Sequence, residues 1–116
     1  MNEDKNKYSC ADFTFPLLPH NKALQVIKLL GMDAVDLGIF EDRSHHYPTH
    51  IAQDPVGKGK QLSHELNIIG LEAADVFLQT GSDPPIAAAN SSDESIRTNN
   101  RDLFLKTLEF TNMLGC

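Results

Sequence analysis

Apolar and polar positions along the chain fall into blocks that predict strands and helices in strict alternation. Tyr8 to Phe13 is a short, mostly apolar stretch with β-formers at its ends, read as a first strand. Phe15-Pro16-Leu17-Leu18-Pro19 makes a proline-bearing turn. From His20 the spacing becomes helical, with Ala23, Leu24, Ile27 and Leu30 on one face, and Gly31 ends the run. Glycine suits that place because it reaches the left-handed conformation without a Cβ penalty. Ala34 to Ile39 predicts a second strand, followed by a long polar loop. Asp54-Pro55 then supplies an N-cap and a first-turn proline for a second helix, with Leu62, Leu66 and Ile69 at core spacing and Gly70 as its stop. Ala73 to Leu78 is nearly continuous apolar sequence, as expected of a strand buried on both faces. After another loop, Ser91-Ser92-Asp93-Glu94 resembles a capping box opening a long third helix with Leu103, Phe104, Leu108 and Phe110 as core positions. Leu114-Gly115 closes it.

An internal repeat joins these local readings. Gly31-Met32-Asp33-Ala34-Val35-Asp36-Leu37 aligns with Gly70-Leu71-Glu72-Ala73-Ala74-Asp75-Val76, and Leu114-Gly115-Cys116 has the look of a third copy beginning. The glycines are 39 and 45 residues apart. A helix ending in glycine, a two-residue link with an acid and then an apolar strand is the unit of a parallel sheet. Short links before each strand and long loops after it place the variable segments at the strands' carboxyl ends, where such folds carry their chemistry.

Composition narrows the function classes. The 116 residues, 41% hydrophobic, allow one domain with a core. Sixteen acidic against ten basic residues give a net charge of -6, which argues against a nucleic-acid partner. Met1 to Lys7 is polar and reads as a disordered tail ahead of the domain at 8–116, and no apolar run approaches the ~20 residues of a membrane span. A cytoplasmic location without a membrane partner is expected. Cys10 and Cys116 form no disulfide framework or zinc-ribbon spacing. Asn90-Ser91-Ser92 fits a glycosylation sequon, but no export signal accompanies it. Gly57-Lys58-Gly59-Lys60 lacks the first glycine and the hydroxyl residue of a phosphate-binding loop; its lysines are expected in solvent, and its two glycines to fray the helix start.

An open doubly wound sheet and a barrel share the same repeating unit. Cys10-Ala11-Asp12-Phe13, the Gly31 to Leu37 segment and Gly38-Ile39-Phe40-Glu41-Asp42-Arg43-Ser44-His45 resemble the sugar phosphate isomerase/epimerase family of the xylose-isomerase-like superfamily. The resemblance runs from Tyr8 to Cys116 and implies the first three βα units of a (β/α)8 TIM barrel, a fold that typically needs about 250 residues. It implies an α/β N-terminal portion of an enzyme for a sugar or sugar phosphate. A divalent metal (Mn, Mg, Co or Zn) would polarise a carbonyl and its neighbouring hydroxyl while a glutamate moves a proton or a hydride shifts. In the family the metal ligands and catalytic glutamates follow strands four to eight, so no catalytic residue and no bound metal is assigned to this chain. The alternatives are a non-catalytic fragment or assembly module that pairs with a complementary half-barrel, with self-association through open sheet edges, and an endonuclease IV-like phosphodiesterase, against which the net charge counts.

Candidate site residues come from the loops. Glu41, Arg43, His45, His46 and His50 lie within ten positions. Arg43 suits a bidentate hold on a phosphate, and His45 suits a sugar hydroxyl or a proton exchange. Substrate-binding roles are assigned to Phe13, Glu41, Arg43, His45 and Gln79, with Phe13 as an apolar wall after the first strand and Gln79 at the end of the third. His46 and His50 read as solvated loop residues, His20 and His64 as helix surface, and Asp36 and Asp75 as structural acids within strands.

Overall fold

The computed structural model describes residues 6–80 and 88–116. The chain order is β1 (Ser9–Ala11), a 3-10 turn (Asp12–Thr14), α1 (His20–Leu29), β2 (Ala34–Phe40), α2 (Pro48–Ile51), α3 (Pro55–Ile69), β3 (Glu72–Gln79) and α4 (Glu94–Leu114). The strands form one parallel sheet in the order β1-β2-β3. The tail expected ahead of the domain falls, up to residue 5, outside the described residues, as does most of the loop between β3 and α4. No helix among the described residues is long and apolar enough to cross a membrane.

The repeat read from the glycines is present in the backbone. Gly31, Gly70 and Gly115 follow the three long helices with φ of 84°, 85° and 75°, the left-handed region that closes a helix. Asp33 and Glu72, the acids of the two links, tie down the segment before β1: Asp33 accepts from the Tyr8 N–H at 3.0 Å, and Glu72 pairs with Lys7 at 3.0 Å. Asp54 caps α3 by accepting from Gly57 N–H at 3.1 Å, as its place before Pro55 predicts. At α4 the cap is Asp93, not a serine: its carboxylate accepts from the Ser95 N–H at 2.8 Å.

One cluster forms the core. Val35, Leu37 and Ile39 project from β2 onto Leu24 and Ile27 of α1, Leu62 and Leu66 of α3 and Phe110 of α4. All three long helices therefore cover the same face of the sheet. The other face carries Asp36, Gly38 and Phe40 of β2 beside their register partners Asp75, Phe77 and Gln79 of β3. A register shift between Val35 and Asp36 brings the two aspartates side by side. There, Asp36 accepts from the Ser9 hydroxyl at 3.1 Å.

Four expectations change. Strand β1 stops at Ala11, and Phe13 lies in the 3-10 turn beyond it. β3 is an edge strand that, among the described residues, helices cover on one face only, and Phe77 on the other face is 46% exposed. On α4, Leu103, Thr107 and Phe110 form the buried stripe facing α3, which leaves Phe104 and Leu108 about half exposed along the β3 edge. Leu30 lies past the end of α1 and is exposed.

Gly59 is buried, and its role is packing where fraying was expected. A Cβ there would sit 2.8 Å from the Phe110 carbonyl and 2.7 Å from Met113 Cβ, so glycine alone lets the α3 and α4 backbones approach this closely. Replacing a mid-helix glycine by alanine ordinarily gains up to about 1 kcal/mol. Gly59→Ala is expected instead to destabilise the fold by about 1–3 kcal/mol, read as a lower urea midpoint at unchanged m-value.

Candidate functional site

The strands' carboxyl ends gather the chemistry. Ladder pairing with β2 ends at Ala11, and Asp12 opens the 3-10 turn that follows. Its carboxylate is fully buried: Oδ1 accepts from the Gly38 N–H at 2.9 Å, and Oδ2 meets His20 Nε2 at 2.9 Å. His20, the first residue of α1, is thereby drawn inward; it was expected at the surface, yet its side chain is only 12% exposed. Sequence spacing gave no hint of this, because the partner is eight residues away and in another element.

The histidines after β2 complete the arrangement. His46 Nε2 lies 3.1 Å from His20 Nδ1, and the two rings stand nearly perpendicular with centroids 4.5 Å apart. His45 approaches His20 from another side with centroids 4.9 Å apart. Its Nε2 donates to the Leu18 carbonyl at 2.8 Å. A carbonyl oxygen only accepts, so a proton is on Nε2, and in the neutral ring Nδ1 carries the lone pair. That Nδ1 is buried without a hydrogen-bond partner among the described residues. Ser44 organises the loop: its hydroxyl accepts from the Phe40 N–H at 2.8 Å and donates to the His46 carbonyl at 2.8 Å.

The remaining predicted residues occupy distinct places. Glu41 caps α2, accepting from the Thr49 hydroxyl at 2.6 Å and the Thr49 N–H at 3.3 Å. Arg43 is exposed in the same loop, and His50 is exposed on α2. Phe13 lies over Gly38, where an added Cβ would clash with its ring, and packs on Phe40 and Phe77 with centroids 5.1 and 6.3 Å away. These three rings form an apolar surface on the open face. Gln79 ends β3 beside Phe40, and its carbonyl accepts from the Glu41 N–H at 3.3 Å. Lys58, expected in solvent, is half-buried in a small recess with His46. A larger hollow of about 350 Å³, lined by Leu66, Leu71, Glu72 and Leu114 among others, sits at the strands' amino ends and contains none of these groups.

No family model, curated protein or solved structure matches the chain.

Burial first, and the neighbouring His20 second, push the His46 pKa from 6.5 down to about 4; Asp12 opposes this, while His45 and Lys58 add to it. In the unfolded chain His46 takes up a proton near 6.5, whereas the fold excludes that proton until about 4, so the unfolded state binds more protons between these values. Stability is expected to fall by up to roughly 3 kcal/mol as pH drops through this window, with no contribution from His46 above it. Urea midpoints measured from pH 7 to pH 4 check this, and His46→Gln should flatten the dependence.

Proposed function

We propose that this chain provides three consecutive βα units of a xylose-isomerase-like (β/α)8 barrel, and that the carboxyl ends of its strands bind a sugar or sugar phosphate undergoing isomerisation or epimerisation. The observation that carries this reading is the one-sided sheet. A doubly wound sheet places helices on both faces, whereas a barrel keeps them outside and turns the other face inward. Here α1, α3 and α4 share one core, and the opposite face presents Phe13, Phe40 and Phe77 near the strand ends.

The aromatic surface suits the C–H face of a sugar ring, and Gln79 beside it suits a hydroxyl. Arg43 offers five donors in a planar fork for a phosphate. In this reading Glu41 and His45 shape the pocket through their bonds to Thr49 and Leu18. In the resembled family a divalent cation polarises the substrate carbonyl, held by residues beyond the third unit. Saturation-transfer NMR with ketose and aldose phosphates is expected to show binding, with Phe13 and Phe77 ring signals shifting. Arg43→Ala is expected to weaken phosphorylated sugars at least tenfold and free sugars little; absence of saturable binding by any sugar would sink the reading.

A second reading, an assembly module, is favoured by the edges. β1 and β3 are the outer strands, and a groove lined by Val76, Leu78, Phe104 and Leu108 runs along β3. Open edges beside apolar side chains favour pairing with a further strand and helix, from a complementary half-barrel or a second copy. Sedimentation is expected to show concentration-dependent association that Leu108→Glu reduces; a monomer at all concentrations would count against this reading.

A further inference from the structure

We propose that Asp12, His20 and His45 form a binding site for a first-row divalent cation such as zinc or iron(II). Each of the three offers one ligand atom, and these atoms lie within 4.8 Å of one another. They come from three separate segments: the turn after β1, the start of α1 and the loop after β2. Two imidazoles and a carboxylate are a donor set found in zinc hydrolases and in iron(II) sites, where three protein ligands leave a position open to water or substrate oxygen.

The hydrogen bonds around the cluster point the same way. A histidine that binds a metal through one nitrogen usually donates its other N–H to a carbonyl or carboxylate, which fixes the tautomer. His45 already does so through Leu18, and its remaining nitrogen is buried without a partner among the described residues. A buried acceptor left unpaired destabilises the fold, a cost that a bound cation removes. His20 has an equivalent support: with Nε2 on the cation, its Nδ1–H donates to His46 Nε2, 3.1 Å away. Asp12 keeps Oδ1 on the Gly38 N–H and frees Oδ2. The proton on His20 Nε2 is displaced, passing along the His20–His46 pair or out to solvent, and the cation takes its place beside Asp12 Oδ2. Ligand atoms on a tetrahedral zinc stand about 3.4 Å apart, so modest rotations of the rings close the site.

The site rests on these three side chains and not on the sugar reading. Titration of the metal-free full chain with cobalt(II) is the test, followed by visible absorption, with zinc(II) calorimetry beside it. One equivalent is expected to bind and give the intense visible bands of low-coordinate cobalt. His45→Ala should weaken binding at least tenfold, while His50→Ala and His64→Ala, at exposed positions, should leave it unchanged. Asp12→Asn should also lose binding, but this carboxylate supports the fold, so circular dichroism must first show a native spectrum; the partly exposed His45 keeps the test decisive if it does not. No binding at millimolar metal, or binding that survives His45→Ala, would overturn the site. Metal binding without sugar binding would remove the sugar reading and leave this one standing.

Discussion

The buried carboxylate of Asp12 joins the first two strands to the first helix. A carboxylate without solvent contact is costly unless hydrogen bonds compensate it. Gly38 of β2 and His20 of α1 supply them, so the end of β1, the middle of β2 and the start of α1 are set relative to one another by one side chain. Gly38 also leaves room for the Phe13 ring, and His20 presents its second nitrogen to His46. The aromatic surface and the histidine cluster thus depend on the same group. Packing of α1, α3 and α4 holds the scaffold, and Asp12 arranges the candidate site at one end of it.

Much of the scaffold was legible in the sequence, and the reasons are local. Gly31, Gly70 and Gly115 each occupy the left-handed position that their place after an apolar helix required. Asp54 and Pro55 start α3 where capping chemistry put them. What sequence could not supply depends on neighbours. Phe104 and Leu108 share the hydrophobic pattern of α4 with Leu103 and Phe110, and only the absence, among the described residues, of a covering element on that side separates exposed from buried. Gly57 and Gly59 look alike in sequence; one makes room for the Asp54 cap, the other for the α4 backbone.

The candidate site was legible in part for the same reason. The loop after β2 stands out in the sequence because its chemistry is contiguous, and Phe13 and Gln79 are singled out because strand ends carry function in parallel folds. Asp12 and His20 are not, because a buried pair assembled from two segments leaves no spacing signal. Glu41 shows the converse: a carboxylate in a promising loop is engaged by Thr49 at the start of α2.

The strand order β1-β2-β3 also bears on how the molecule comes into being. Each strand pairs with the one made immediately before it, and each helix packs within the unit or on its neighbour. A chain emerging from the ribosome at about 5–20 residues per second would find every partner already outside the tunnel, so ordering can proceed from the first strand onward without waiting for a distant segment. The growing edge is then always the newest strand. Throughout synthesis the surface open to unwanted pairing is one strand wide on that side, and it moves forward with each unit added.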